Sequence, residues 1–210
     1  MSDQGALARQ CVPTPEWLLG ANDGVIGDPV ADLILNEKNW KGLLIEPVPY
    51  CFDRLQRNYP DRERFICEQI AIDLVPSRLS FYYVDERAKQ EHPGLPLWHD
   101  QLGSFSRKHI LNHLDGFLEP FIVETMIEAR PLSDVLRSHS ISTITLLHID
   151  TEGHDLRALQ SLDFSVVNVR GIFVEHKHLS PQDKISLRQL LRSQGFRIHD
   201  CGHDYFAQRT

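Results

Sequence analysis

Two stretches of this 210-residue chain gather the side chains that proton transfer and ion binding require. The first, His148-Ile149-Asp150-Thr151-Glu152-Gly153-His154-Asp155, follows directly on the apolar run Ile144 to Leu147, and the second is Glu175-His176-Lys177-His178. Charged groups gathered at the end of an apolar run mark a site, because packing alone does not account for them. A carboxylate or imidazole in reach of a hydroxyl can take its proton, so Asp150 is the first candidate to orient or deprotonate an acceptor, with Glu175 or His176 assisting. Glu152 and Asp155 equally suit the capping of a following helix, and Lys177 and His178 suit a solvated loop.

A third group of residues suits a nucleotide-like ligand. Gly20, Ala21, Asn22, Asp23 and Gly24 follow the short apolar run Trp17 to Leu19 and precede a helical stretch. Such a turn lets a ligand approach the backbone closely, and the helix start behind it favours negative charge. The dinucleotide fingerprint G-x-G-x-x-G is not met, since Asn22 stands at the second glycine position and Gly24 comes one place early. A pyrophosphate needs that bare glycine, whereas S-adenosylmethionine presents a carboxylate, an ammonium and a nucleoside, and tolerates a side chain there. Glu46 lies 22 residues beyond Gly24 at the end of the run Leu43 to Ile45, near the spacing at which an acid in such folds accepts both hydroxyls of a ribose. Gln69 and Ile70 end the next strand, where they could meet the edge and face of an adenine. Taken singly, an ordinary turn, a strand exit into water and a core isoleucine explain these three features as well.

The elements that must position these groups alternate. Gly42 to Ile45, Arg64 to Ile72, Leu79 to Val84, Phe121 to Ile127, Ile144 to Ile149 and Gly171 to Val174 read as strands, with two closing strands around Gly202. Helices are expected from about Pro29 to Asn39, and at Pro49 to Asn58, Leu132 to Arg137, Leu156 to Leu162 and Gln182 to Ser193, the last stopped by Gly195. This pattern predicts a Rossmann-like α/β fold, a doubly wound and mostly parallel sheet with helices on both faces and ligands beyond the carboxyl ends of its strands. Residues 1–210 read as a single domain, in which 85–120, rich in proline and histidine, interrupts the alternation as a lid or insertion.

Composition narrows the partners. With 22 Lys+Arg against 29 Asp+Glu the formal charge is −7, which repels a phosphate backbone, so no nucleic acid is expected. No run approaches the roughly 18 apolar residues of a membrane span. Cys11, Cys51, Cys67 and Cys201 form no C-x-x-C pair, which fits a reducing cytoplasm better than an oxidising compartment. Asp150, His148, Glu175 and His176 offer mixed oxygen and nitrogen ligands, and His109 and His113 stand four apart on an expected helix, but such a pair is more often a surface feature and no complete ligand motif such as H-E-x-x-H occurs, so the chemistry is expected to proceed without a metal.

Together Gly20-Ala21-Asn22-Asp23-Gly24, Leu44-Ile45-Glu46-Pro47 and Ile149-Asp150-Thr151-Glu152-Gly153 make the chain resemble the FkbM-type family of SAM-dependent methyltransferases from about Trp17 to Ala207. The resemblance implies that Gly20, Asn22 and Gly24 line the methionine part of S-adenosylmethionine, that Glu46 with Pro47 holds the ribose, and that Gln69 and Ile70 flank the adenine. It further implies Asp150 beside the sulfonium, Ser104 in a cofactor-facing serine loop, and O-methylation of a hydroxyl on a sugar, lipid or other natural product. His148 stands where many members carry lysine, and His154 where a small residue is usual. Outside this class, an NAD-dependent oxidoreductase would share the sheet and Glu46 but lacks its glycine fingerprint. A non-catalytic nucleoside-binding module would have no need of Asp150 and Glu152.

Overall fold

The computed structural model describes residues 22–26, 31–36 and 38–210. The short apolar run Trp17 to Leu19, and Gly20 and Ala21 of the glycine turn, lie outside the described residues. In chain order the elements are α1 (Ala31–Asn36), β1 (Gly42–Ile45), α2 (Pro49–Asn58), β2 (Phe65–Glu68), β3 (Ala71–Ile72) and β4 (Ser77–Val84). There follow α3 (Arg87–Glu91), α4 (Arg107–Leu111), β5 (Ile122–Arg130), α5 (Leu132–Ser138), β6 (Thr143–Ile149) and α6 (Asp155–Gln160). The chain closes with β7 (Asn168–Glu175), α7 (Pro181–Ser193), β8 (Phe196–Asp200) and β9 (Asp204–Arg209).

Side-chain alternation along the strands explains why both sheet faces carry helices. Leu43 and Ile45 of β1, Ile172 and Val174 of β7 and Ala207 of β9 point into one core with Leu132 and Leu136 of α5, Leu159 of α6 and Leu187 and Leu191 of α7. Their neighbours Leu44, Phe173 and Phe206 point the opposite way, into a second core with Ile34 of α1 and Leu55 of α2. All four residues of β1 are buried, as a strand covered on both faces must be.

Pairing is parallel for β1 with β2, β3 with β5, and β6 with β7. It is antiparallel where β4 meets β5 and where β9 sits between β7 and β8, in the order β6-β7-β9-β8. The expected strand Arg64 to Ile72 is two strands, broken at Gln69 and Ile70, and its halves pair with different neighbours. The segment between β4 and β5 carries α3, α4 and short 3-10 turns, and has a core of its own in which Ala88, Leu95, Leu102, Ile110 and Leu118 are buried. A bridge between Tyr82 and Ser104, with both backbone N–H···O bonds at 2.9 Å, lays it along β4. No helix among the described residues is long and apolar enough to cross a membrane.

Candidate functional site

A cleft opens at the carboxyl ends of β1 and β6, where this fold class binds ligands. It holds about 1110 Å³ of atom-free space, its open mouth included. Ile45, Glu46 and Pro47 after β1, Ile70 before β3, and His148 to Glu152 at the end of β6 reach it, together with Asn22 from the glycine turn. Gly103 and Phe105 of the β4–β5 segment, with Phe81 of β4, form a further wall.

Each residue of the glycine turn does something different. Asn22 lines the cleft with a backbone φ of 41°, and both its side-chain polar atoms are buried without a hydrogen-bond partner. Asp23 is turned inward, where its Oδ1 accepts from the N–H groups of Val25 (3.0 Å) and Ile26 (2.8 Å). Gly24 adopts φ 71° and lies against Tyr59, whose hydroxyl donates to its carbonyl at 2.5 Å. A Cβ there would sit 2.3 Å from Tyr59 Cε2, so this glycine serves packing against the end of α2. Of the described turn residues expected to hold a cofactor, only Asn22 faces the cleft, whereas Asp23 and Gly24 build the turn that presents it.

Glu46 is buried, and its carboxylate accepts from the backbone N–H of Val48 at 2.7 Å and from that of Asn22. Burial pushes its carboxyl up to about 8, and the nearby Asp100 charge adds to this, against the lowering effect of the two backbone bonds. Pro47 and Ile70 line the cleft as expected, but Gln69 is exposed and does not. Ser104 also stays out of the lining: its hydroxyl donates to the carbonyl of Glu152 at 3.3 Å and accepts from Ser106 N–H. It joins the β4–β5 segment to the loop after β6.

That loop is held by Asp155, whose two carboxylate oxygens accept from Thr151 N–H (2.8 Å) and Gly153 N–H (3.1 Å). Glu152 takes the left-handed conformation, φ 52°, rare for a residue with a side chain and often found at functional sites. Asp150 opens onto the cleft, yet protein surrounds it closely enough that burial, and then the Glu152 charge, raise its carboxyl. Asp155 is pushed up to about 7 by burial and by Asp150. Glu175 is raised as well, first by burial and then by Asp150 and Glu152, and carboxylate oxygens of Asp150, Asp155 and Glu175 all lie within 4.8 Å of one another.

His176 does not join them. Its ring stacks on Tyr205 at 3.8 Å, with Nε2 3.8 Å from Asp200 on the β8 side, and it is absent from the cleft lining. The alternation that sends Glu175 toward the loop after β6 sends His176 the other way. His154 also turns aside, its Nε2 3.1 Å from Asp73, which accepts two further hydrogen bonds from Arg157.

Asp100 and Gln101 line the cleft without a sequence signal of their own. Asp100 pairs with Arg54 of α2, and Gln101 Nε2 donates to the carbonyl of Ile26 at 2.6 Å, so both tie the β4–β5 segment to the first half of the chain.

Residues 19–198 match the model of the methyltransferase FkbM domain. The chain belongs to the FkbM methyltransferase family. This places the cleft, Asn22, Glu46 and the Asp150 loop in a methyltransferase domain. Among solved structures, the chain is similar to a ribosomal protein L11 methylase from Lactobacillus delbrueckii subsp. bulgaricus, with 11% identity and a TM-score of 0.42 over 97% of this chain and 75% of that one. It is also similar to a fibrillarin/Nop5p complex structure (12%, 0.43, 100% and 81%) and to a human methyltransferase 10 domain containing protein (11%, 0.41, 98% and 78%). No match is found among curated protein sequences.

Proposed function

We propose that this FkbM domain transfers a methyl group from S-adenosylmethionine to a hydroxyl of a small molecule such as a sugar, lipid or other natural product. The observation that carries the reading is the pairing, in one cleft, of Asn22, whose buried amide has neither donor nor acceptor satisfied, with the buried carboxylate of Glu46. A buried polar group without a partner costs about 1–3 kcal/mol, which the amino-acid tail of a ligand would relieve at Asn22, while a ribose diol would donate to the acceptor positions of Glu46 that Val48 and Asn22 leave open. Ile45, Ile70 and Ile72 offer the apolar wall that an adenine face requires.

The sulfonium of the bound cofactor supplies an activated methyl group. The protein's part is to align the acceptor and keep water away, for which Phe81 and Phe105 provide apolar walls. Asp150 receives the acceptor's proton. Its raised carboxyl is a stronger base than an ordinary aspartate and is still ionised to a useful degree near neutrality. Glu175 stands behind Asp150 and assists as the neutral acid that its burial favours. In this reading residues 85–120 cover the acceptor end as a lid, and the whole chain works as one domain. Cys51 and Cys67 are free thiols, which supports a reducing, cytoplasmic setting.

Calorimetry with S-adenosylhomocysteine and NAD, followed by transfer of labelled methyl to a panel of hydroxyl compounds, tests the reading. Saturable binding of the first ligand alone is expected, and Asp150→Asn should retain it while losing turnover by about 10²-fold or more. Preference for NAD, or full turnover by Asp150→Asn, overturns the corresponding part.

A further inference from the structure

Beside the cleft, where α4 meets the loops after β6 and β7, five ligand-type side chains from three distant segments converge. Nitrogens of His109, His113 and His178 lie within 4.8 Å of one another, and so do ligand atoms of Glu152, Glu175 and His178, making His178 the common vertex. His109 Nε2 is 2.8 Å from Glu152 Oε2, and His178 Nε2 is 3.3 Å from that same oxygen and 3.8 Å from Glu175 Oε1. For ligand bonds of about 2.0–2.2 Å around a tetrahedral cation, neighbouring donors stand roughly 3.3–3.6 Å apart. The observed separations straddle that spacing.

Hydrogen bonding does not explain this convergence. Despite the 2.8 Å separation, His109 Nε2 and Glu152 Oε2 are both buried atoms without a hydrogen-bond partner. Glu175 is only 8% exposed, and its Oε2 also has no partner. His113 Nδ1 lies 2.8 Å from the carbonyl of His109, a contact that assigns the proton to Nδ1 and leaves the Nε2 lone pair for a ligand bond, as in many metal-binding histidines. Asp155 is different: both its oxygens are engaged by the loop it holds.

We infer that His109, His113, His178 and Glu152, with Glu175 at the inner edge, form a binding site for a divalent cation of Zn(II) type. Three imidazoles with carboxylates suit a borderline metal and disfavour magnesium or calcium, which take oxygen ligands. The site departs from the metal-free expectation drawn from sequence spacing, and it stands whether or not the proposed methyl transfer holds. A bound cation would fasten α4, and with it the segment between β4 and β5, to the two loops that carry Asp150 and Glu175.

The experiment treats the full-length protein with a chelator and titrates it with Zn(II) against a chromophoric competitor, then with Co(II) as a spectroscopic probe. One equivalent should bind, with Co(II) visible bands of imidazole–carboxylate ligation and slower proteolysis within 85–120. His178→Ala and Glu152→Gln should each weaken Zn(II) binding by about a hundredfold or more, beyond the usual effect of losing an outer hydrogen bond, while His139→Ala, whose ring pairs with Glu68 before the start of β6, binds as wild type. Absence of stoichiometric uptake overturns the site, as does undiminished binding by folded His178→Ala. Should a variant fail to fold, proton NMR of the wild-type Co(II) form decides. Hyperfine-shifted, exchangeable imidazole N–H signals are expected, and their absence rejects the histidine ligands.

Discussion

Glu46 shows how one side chain can serve two states of a protein. Without ligand its carboxyl is raised from 4.5 to about 8 by burial, so between these values the folded chain holds a proton that the unfolded chain releases. Stability therefore falls as pH rises through that window, by roughly 1.4 kcal/mol per unit at most, and levels off above it. Glu46→Gln should flatten this part of the pH profile relative to wild type in urea unfolding. The same variant should bind S-adenosylhomocysteine about 10–100-fold more weakly, because the ionised acid accepts two hydroxyls and the amide oxygen does so less strongly. Wild-type binding should release protons near pH 7, detectable by calorimetry in buffers of different ionisation enthalpy. Unchanged affinity in Glu46→Gln would remove the ribose contact. Glu46 could be read from the sequence because it is the first charge after an apolar run. The separate tasks of Asp23 and Gly24 could not, because they depend on Val25, Ile26 and Tyr59 in three dimensions.

Elements with local causes were legible. The run Gly42 to Ile45 is β1 and Pro49 to Asn58 is α2, with a proline at the start where its missing N–H costs nothing. Antiparallel pairing of β4 with β5 was not legible, because strands that run parallel and antiparallel can share the same apolar pattern and the 85–120 segment hides the connection. At this scale Gly24 joins the first turn to the end of α2. Gly24→Ala adds a Cβ 2.3 Å from Tyr59 Cε2 and 2.9 Å from Leu55 Cδ1 at a φ of 71°. Left-handed strain and overpacking together predict a loss of roughly 2–5 kcal/mol, measurable as a lower urea midpoint, whereas Gly94→Ala, in open space, should change little. Equal midpoints for the two variants would mean that the turn does not depend on this contact.

For the molecule as a whole, the site is assembled from parts far apart in sequence. The motifs after β1 and β6 were recognisable because each is contiguous. The histidine and carboxylate cluster was not, since His109, Glu152 and Glu175 meet only when the β4–β5 segment folds onto two other loops, and a hydrogen bond from Ser104 to Glu152 helps to bring them there. The same long-range construction misdirected the reading of His176, whose neighbour in sequence reaches the cluster while it faces Tyr205.

The contact of α2 with the Asp100 region has one more consequence. Cys51 is fully buried, its Sγ lies 3.3 Å from Arg54 Nη2 and 3.8 Å from the carbonyl of Asp100, and burial pushes its thiol up. Such a sulfur is chemically silent until Asp100 and Gln101 lift away, so alkylation of Cys51 becomes a clock for spontaneous breathing of the molecule. Peptide mapping after exposure to iodoacetamide should find Cys67 modified well before Cys51, and S-adenosylhomocysteine should retard Cys51 further. Equal rates at the two positions would mean that this region is loose at rest and that its closure awaits a bound ligand.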